Sequence, residues 1–432
     1  MASFVFQRDL RRPPRRVVSG RGSYLVDEDG RRYLDAVGGA MVVNAGHGIA
    51  ELAERVAQQI RAVAYVNGTQ FTSAPAEELA AELAGVLPEP LKYSYFLCGG
   101  SEAVEAAIKL ARQVQVERGR PSKWKVIGRR PAYHGSTLAA LSLTSRSHYR
   151  DLYGPLLTPF PLIPAPDRYR HPGCAACTGD ALEAEILAQG SDTVAAFLLE
   201  PIVASSAGAM VPEPGYLERV RAICTRHDVL LIADEIACGM GRTGRWFAFE
   251  HSGAVPDVLV LGKGLAGGLA PLSALVARRE IVELLARTRG AFVHAQTFSH
   301  SPVLCAAGLA NVRYLKEHGL VERCARMERP FLARLERLRA SALVGDVRGK
   351  GLLAGVELVA NRETKAPFPR AERVAERLAQ RAFENGLIVW PNAGHADGVD
   401  GDLVVLAPPF TVTEDELEQM AAILLDSLGE IA

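Results

Sequence analysis

The sequence has no excess of charge of either sign, since 49 lysines and arginines balance 49 aspartates and glutamates among its 432 residues. A protein that binds nucleic acid usually has a net basic balance or a dense basic stripe. The only basic cluster lies near the start of the chain: Arg8, Arg11, Arg12, Arg15 and Arg16. We interpret it as a solvated N-terminal arm. The charge balance therefore argues against a nucleic-acid partner.

Long hydrophobic runs are also missing, because the longest apolar stretches are interrupted by Glu200 and by Lys263. A membrane span needs about 20 apolar residues, and no apolar run of the signal-peptide kind follows the arginine cluster. Cysteines are few and scattered, with an odd total of seven. Such a pattern is typical of a reducing compartment rather than of a disulfide framework. We expect a cytoplasmic protein without a membrane partner.

Strand-like and helix-like patterns alternate through the middle of the chain. Four segments have the aliphatic or β-branched composition of buried strands: 125–128, 194–199, 229–233 and 258–261. Amphipathic helical patterns at 101–117 and 216–227 lie between them. This alternation predicts an α/β fold with a mostly parallel sheet and helices on both faces.

The two ends of the chain have a different character. Strand patterns occur there at residues 30–35, 347–358 and 403–406. Together with a helical pattern near 371–385, they predict a smaller α+β domain built from both termini, at residues 1–54 and 326–432. A large domain with the mostly parallel sheet would then occupy residues 55–325.

A glycine-rich turn, Cys-Gly-Gly-Ser-Glu-Ala at residues 98–103, joins a strand pattern to a helical one. Adjacent glycines permit a tight turn, and a helix start offers unpaired N–H groups and the positive end of a dipole. Ser101 adds a hydroxyl. Gly100 and Ser101 are therefore candidates for a phosphate cradle, although an ordinary strand–helix turn has the same appearance.

Two charged residues end aliphatic runs. Asp234 ends one at 230–234, where an open α/β sheet binds its ligands, and a buried carboxylate needs a cation such as a protonated pyridine nitrogen. A helix cap or a surface acid would explain Asp234 equally. Lys263 ends another run between Gly262 and Gly264. Desolvation there lowers a lysine pKa and favours the nucleophilic amine, so a Schiff-base lysine explains this placement.

Two further motifs are interpreted as structural. Residues 239–244 match G-x-G-x-x-G, but an aromatic run follows where a dinucleotide site needs a helix, so we expect a loop. His171, Cys174 and Cys177 lack the second ligand pair of a closed zinc site. We therefore expect no metal.

The motifs together resemble the class III pyridoxal-phosphate aminotransferases of fold type I, across almost the whole chain and nearest the ω-amino-acid–pyruvate branch. The matching segments are GGSEAVEAAIKLAR (99–112), AYHGST (132–137), LLEPIV (198–203), LLIADEI (230–236), GRTGRWFAFE (241–250), LGKGLAGGLAPLSA (261–274), QTFSHSP (296–302), VRGKGLL (347–353) and APPF (407–410). They follow the order and spacing of that family. The resemblance implies the fold type I α/β architecture and pyridoxal 5'-phosphate as cofactor.

The resemblance also assigns a role to each matching position. Lys263 would hold the cofactor as a Schiff base, and Asp234 would keep its pyridine nitrogen protonated. Gly100 and Ser101 would bind the cofactor phosphate.

The remaining roles concern the rest of the cofactor pocket. Tyr133 and Ile236 would cover the two faces of the cofactor ring, with support from Gly135 and Glu200. Thr297 would reach the phosphate of a neighbouring subunit. The resemblance thus implies a homodimer with shared active sites.

Substrate choice is less sharply indicated. Some family members pair a glutamate after Glu-Pro with an arginine before Ala-Pro-Pro, and here those positions are Ser205 and Val405. We therefore expect pyruvate or another small oxo acid as acceptor, rather than 2-oxoglutarate. Met41 and Phe71 are candidates to line the substrate pocket or to be plain core residues. We interpret His134 as structural.

Other reactions stay open at this point. Racemases, decarboxylases and aminomutases share the fold, the cofactor, the lysine and the aspartate, so the core motifs do not separate them from aminotransferases. A non-catalytic binding protein is a further alternative, against which intact Lys263, Asp234 and Ser101 argue. We expect an aminotransferase that takes an amine or amino-acid donor, whose identity the sequence leaves open.

Overall fold

A computed structural model of the protein describes residues 4–11 and 13–432, so Arg12 of the basic cluster lies outside the described residues. The strands are β1 Val17–Arg21, β2 Tyr24–Asp27, β3 Arg32–Asp35, β4 Leu91–Leu97, β5 Lys125–Arg130, β6 Leu162–Pro164, β7 Val194–Leu199, β8 Leu230–Asp234, β9 Val258–Leu261, β10 Ser273–Arg278, β11 Val344–Lys350, β12 Leu353–Leu358, β13 Leu387–Ile388, β14 Trp390–Ala393 and β15 Asp402–Leu406. The helices are α1 Gly38–Met41, α2 Ala50–Ala62, α3 Ala74–Val86, α4 Gly100–Glu117, α5 Leu138–Leu143, α6 Ser147–Tyr153, α7 Ala175–Thr178, α8 Asp180–Gln189, α9 Tyr216–Arg226, α10 Arg279–Arg287, α11 Pro302–Glu317, α12 Leu320–Glu336, α13 Val374–Glu384 and α14 Glu414–Ile431.

The central sheet has seven strands in the order β4-β10-β9-β8-β7-β5-β6. Strands β5 to β9 run parallel to their neighbours in this group, and β10 runs antiparallel to both β4 and β9. Every side chain of β7 and β9 is buried, as expected for strands covered on both faces. The predicted mostly parallel α/β sheet is confirmed.

Helices lie on both faces of this sheet. The apolar side of α4 packs with β7, β8 and β9 in one core cluster, and α3 and α11 pack in another on a different side. Nowhere in residues 4–11 or 13–432 does a helix have both the length and the apolar character that crossing a membrane requires.

Two four-stranded sheets lie outside the central one, in the orders β1-β2-β3-β13 and β11-β12-β15-β14. Each uses strands from the parts of the chain where the sequence predicted a smaller domain. The pattern at 347–358 is a hairpin of β11 and β12, which turns at Gly351 with a φ of 61°. A Cβ on Gly351 would lie 2.4 Å from the carbonyl carbon of Thr243, so the hairpin tip packs closely on the loop at 239–244. That segment forms turns, with no helix starting in it, as the sequence predicted.

Strand order explains where the functional residues meet. Strands β7, β8 and β9 are parallel neighbours, so their carboxyl ends lie side by side at one edge of the sheet. Glu200 follows β7, Asp234 is the last residue of β8, and Lys263 comes two residues after β9. In a parallel sheet this edge is where ligands bind.

Candidate active site

The carboxyl ends of β7, β8 and β9 open into a cavity of about 200 Å³. Its lining consists of Gly100, Ser101, Tyr133, His134, Gly135, Glu200, Ser205, Asp234, Ile236, Ala237 and Lys263. Of the residues to which the resemblance assigns a cofactor role, Thr297 alone does not line this cavity. Segments that are far apart in the sequence therefore converge on one small space.

Lys263 enters the cavity from a strained position of the backbone. Its φ is 42°, in the left-handed region that residues with a Cβ seldom adopt. The side chain makes no hydrogen bond or ion pair with the described part of the chain. Burial lowers the pKa of Lys263, and the nearby carboxylates of Glu200 and Asp234 oppose that shift only in part. A fraction of this amine is thus neutral at a pH where an exposed lysine is fully charged.

Asp234 is buried and is held by two hydrogen-bond partners. Its Oδ1 accepts the backbone N–H of Ile236 at 3.0 Å, and its Oδ2 lies 2.7 Å from Nδ1 of His134. No lysine or arginine of the described residues forms an ion pair with it. The His134 ring is also buried, and its Nε2 has no hydrogen-bond partner in residues 4–11 or 13–432. His134 therefore orients Asp234, a contact that the sequence interpretation of His134 as simply structural missed.

The start of α4 forms one end of the cavity. A Cβ on Gly100 would lie 2.9 Å from Cδ1 of Ile236, and one on Gly135 would lie 2.4 Å from Oγ of Ser101. Gly135 also has a φ of 138°. Only glycines permit these close approaches, and the first N–H groups of the helix have no intrahelical partner. The geometry is that of an anion-binding helix start with a hydroxyl beside it.

Glu200 connects two loops behind the cavity. Its Oε1 accepts the backbone N–H of Tyr133 at 3.2 Å, and its Oε2 accepts that of Ala204 at 3.0 Å. Burial raises the pKa of Glu200, against the opposing effect of His134. Glu200 thus holds the backbone of Tyr133 at the cavity wall.

Thr297 lies apart from the cavity of its own chain. It is exposed on a turn, and its carbonyl accepts a hydrogen bond from the Tyr65 hydroxyl at 3.0 Å. The Tyr65 and Phe298 rings meet edge to face with centroids 5.8 Å apart, and both are exposed, as is Phe71. The structure therefore places Thr297 in an exposed aromatic surface made of Tyr65 and Phe298.

The candidate substrate residues are distributed unevenly. Ser205 lines the cavity, whereas Val405 is buried within β15. Met41 is buried in a core cluster with residues of the loop at 202–209, and Phe71 is 64% exposed. Neither Met41 nor Phe71 lines the cavity, and both pocket roles stay predictions.

The cysteine motif forms a close pair. The sulfur atoms of Cys174 and Cys177 lie 3.2 Å apart, and the Cys177 thiol donates to the His171 carbonyl at 3.3 Å. Burial raises the pKa of Cys177 to about 11. The described ranges contain no group of three or more His, Cys, Asp or Glu side chains arranged to hold a metal ion.

Comparison with known proteins shows the family of this chain. The family model for aminotransferase class-III matches residues 5–428. The chain is 38% identical to the uncharacterized aminotransferase YodT of Bacillus subtilis, over 100% of this chain and 98% of that protein. It is 33% identical to the putrescine–pyruvate aminotransferase of Pseudomonas aeruginosa, over 96% and 91%. It is 35% identical to the taurine–pyruvate aminotransferase of Rhodobacter capsulatus, over 97% and 92%.

Solved structures show the same likeness. An (S)-enantioselective ω-transaminase from Thermomicrobium roseum superposes with a TM-score of 0.91 at 36% identity, covering 98% of this chain and 94% of that one. The ω-transaminase from Pseudomonas jessenii in complex with PMP superposes with a TM-score of 0.89 at 31% identity, covering 97% and 93%. The likeness thus extends over the whole fold.

Proposed function

The chain belongs to the class III aminotransferase family, and we propose that it transfers an amino group from an amine or amino-acid donor to pyruvate or another small oxo acid, with Lys263 holding the cofactor. The enzyme depends on pyridoxal phosphate, and its architecture is fold type I. The observation that carries the Lys263 assignment is the unpaired lysine in the same cavity as a buried aspartate that has no lysine or arginine partner.

The residues of the cavity fit pyridoxal phosphate. The helix start at Gly100 and Ser101 offers N–H groups and a hydroxyl to the phosphate. Asp234 offers a buried carboxylate to a protonated ring nitrogen, and burial without such a cation is unfavourable. Tyr133 and Ile236 would lie against the two faces of the ring.

Bound pyridoxal phosphate supplies an aldehyde that captures amines and a ring that withdraws electrons from the carbon–hydrogen bond to be broken. The Asp234 carboxylate, oriented by His134, would hold a proton on the ring nitrogen. Lys263 Nζ would be released when an amino donor takes its place. Because burial lowers its pKa, neutral Nζ would accept the proton that leaves the donor carbon and would then deliver it to the cofactor.

Two observations support pyruvate as the acceptor. The cavity carries the uncharged Ser205 where some family members have a glutamate, and the partner position, Val405, is uncharged too. Two relatives with about one third of their residues identical are named as pyruvate aminotransferases, one for putrescine and one for taurine. Both observations favour a small oxo acid over 2-oxoglutarate.

We also propose that the enzyme is a homodimer with shared active sites, in which Thr297 serves the cofactor phosphate of the partner. The exposed rings of Tyr65 and Phe298 beside Thr297 support this arrangement, because large exposed apolar groups in one place mark interfaces. Light scattering on the purified protein tests it: a monomer at micromolar concentration would contradict it.

The domain division and the location belong to the same proposal. Residues 55–325 would form the large cofactor-binding domain, and residues 1–54 with 326–432 the small one, each around its own sheets. All seven cysteines are unbridged, which supports the cytoplasm. Limited proteolysis and cell fractionation test the two statements.

The central experiment treats the cofactor-loaded enzyme with borohydride and maps the modified peptide. We expect the modification on the peptide that contains Lys263, together with formation of alanine from pyruvate when an amine is supplied. A modification elsewhere would contradict the role of Lys263. A screen of amines, ω-amino acids and α-amino acids with pyruvate identifies the donor.

A further inference from the structure

An arginine that the sequence did not single out lies beside the cavity. Arg146 directly precedes α6, and its guanidinium carbon lies 5.0 Å from the centre of the Tyr133 ring, which lines the cavity. The Nε atom of Arg146 is buried without a hydrogen-bond partner, and no carboxylate in residues 4–11 or 13–432 forms an ion pair with the side chain. The contact with the Tyr133 ring is the closest side-chain contact of Arg146 described for residues 4–11 and 13–432.

Two other arginines with buried side chains have oxygen acceptors for their guanidinium groups, although Nε of Arg129, like Nε of Arg146, has no hydrogen-bond partner among the described residues. Arg129 donates to the Tyr216 hydroxyl at 3.3 Å and to the backbone carbonyl of Glu200. Arg242 donates to the carbonyls of Leu352 and Val43 at 3.2 and 3.1 Å. Arg146 has no such oxygen, although a desolvated cation without an acceptor is unfavourable. An anion from outside the chain would satisfy it.

The charge of Arg146 acts on the cavity itself. It contributes to the lowered pKa of Lys263, and Glu200 in turn acts on Arg146. Burial lowers the pKa of Arg146, and Arg8 of the N-terminal arm adds to that effect. The two cations therefore strengthen one positive field beside the substrate space instead of neutralising it.

The N-terminal arm, predicted to be solvated, contacts the rest of the chain through Arg8. Arg8 Nη2 donates to the hydroxyl of Tyr149 at 3.0 Å, three residues after Arg146 in the chain. This contact holds an arginine from the start of the chain on the same side of Tyr133 as α6. Arg16, by contrast, forms an exposed ion pair with Glu28.

We propose that Arg146 binds the carboxylate of the substrate, with Arg8 reinforcing the positive field. A guanidinium suits this ligand because its planar fork can donate two parallel hydrogen bonds to one carboxylate. The inference rests on the proposed transfer to an oxo acid and deepens it by naming the group that recognises the acid. It also gives a specific function to an otherwise unsatisfied charge.

The kinetic test compares pyruvate with propanal, an acceptor of similar size that lacks the carboxylate, using one carboxylate-free amine as donor. For Arg146→Met we expect KM for pyruvate to rise about 10- to 100-fold, the loss of one charged hydrogen-bonded contact. KM for propanal should change less than about twofold, and its turnover shows that the variant is folded. Arg146→Lys should recover part of the loss, and Arg16→Met is the matched control for removing a positive charge.

A binding measurement gives a readout that does not depend on turnover. Propanoate titrated into the resting, cofactor-loaded enzyme should bind saturably, as followed by calorimetry, and Arg146→Met should weaken that binding by a similar factor. An equal loss for pyruvate and propanal would overturn the proposal, because Arg146 would then act only through Tyr133. Unchanged pyruvate kinetics and unchanged propanoate binding would overturn it as well. If the parent enzyme transfers no amino group but binds propanoate through Arg146, the proposed function fails and the anion site stands.

Discussion

Two buried groups of charged residues differ in how completely they are paired. In the cavity, Lys263 has no ion-pair partner and Asp234 has only His134. In the second group, the Glu357 carboxylate accepts hydrogen bonds from Arg348 Nη1 at 2.6 Å and from Arg170 Nε at 2.8 Å. This second group connects the loop at 165–172 to the hairpin of β11 and β12.

The protonation behaviour of the two groups is opposite. Burial raises the pKa of Glu200 and lowers that of Lys263, so the cavity disfavours charge on both. The arginines beside Glu357, with His395, hold the pKa of that carboxyl well below its usual range. Several cationic partners around one carboxylate join two parts of the chain, whereas a lysine without a carboxylate partner leaves a charge for a ligand to satisfy. The same residue types thus serve structure in one place and chemistry in the other.

The largest expected effect on turnover comes from replacing Lys263, because this removes the charged side chain that has no ion-pair partner in the cavity. Lys263→Ala should lower turnover by about 10⁴-fold or more, because cofactor attachment and proton transfer both depend on its Nζ. The far-ultraviolet circular dichroism should match that of the parent. Lys109→Ala, on the exposed side of α4, is the control. Normal turnover in Lys263→Ala would remove the basis of the assignment.

Asp234→Asn keeps the shape of the buried acid and removes its charge. Turnover should fall about 10²- to 10³-fold, the usual effect of losing one preorganised electrostatic group in a buried site. Cofactor binding, measured by absorbance after gel filtration, should persist. A variant as fast as the parent would show that Asp234 does not face the ring nitrogen.

Glu357→Gln should affect stability and leave the chemistry intact. It leaves Arg170 buried without a counter-charge and Arg348 with Asp346 alone, so the free energy of unfolding should fall by about 3 kcal/mol. Urea titration measures this change. Glu54→Gln, which breaks the exposed pair with Arg61, should cost less than about 1 kcal/mol. A similar loss in both variants would contradict the contrast between complete and exposed pairs.

The two buried glutamates should respond to pH in opposite directions in cofactor-free protein. The folded pKa of Glu357 lies below its ordinary value of 4.5, so its stabilising effect is present above pH 4.5 and is lost as the pH falls toward the folded pKa. The stability difference between parent and Glu357→Gln should therefore shrink in acid.

Glu200 has a folded pKa above 4.5, so its ionisation opposes folding as the pH rises past that value. Relative to the parent, Glu200→Gln should therefore gain stability with rising pH. Urea titrations from pH 3 to 8 measure both slopes. If both variants changed in stability relative to the parent in the same direction with pH, the environments of Glu357 and Glu200 would not differ as described.

The smallest expected effect concerns the exposed aromatic surface. Thr297→Ala should leave turnover at saturating cofactor within about twofold and weaken cofactor retention by about tenfold, the loss of one charged hydrogen bond. Dialysis followed by absorbance measures it. Ser299→Ala, two residues away in the same turn but buried, is the comparison. Unchanged retention would argue against a role for Thr297 in the partner's site.

Local pattern was enough for the central part of the fold. The aliphatic runs at 194–199 and 258–261 coincide with β7 and β9, because a strand covered on both faces must be apolar throughout. The run at 347–358 was harder to interpret. It is two strands, and the break at Gly351 depends on contact with Thr243 from a distant loop.

Some features of the site could likewise be predicted from the sequence, and others depend on the tertiary structure. Lys263, Asp234, Gly100 and Ser101 were identifiable because each stands at the end of a strand pattern or the start of a helical one. The contact of His134 with Asp234 joins residues 100 positions apart, and no periodicity or spacing reports it. Arg146 looked like one of many arginines, since the absence of a partner is a property of the folded surroundings.

The sequence by itself determined which segments become buried parallel strands and which residues stand at their ends. A strand covered on both faces must be apolar throughout, and the alternation of strands with helices indicates a parallel sheet. Only the tertiary structure decided which charges are paired. Ion pairing depends on distances between segments that are remote in the chain. Glu357 therefore forms ion pairs with two arginines, whereas Lys263 and Arg146 form none with a carboxylate of the described residues.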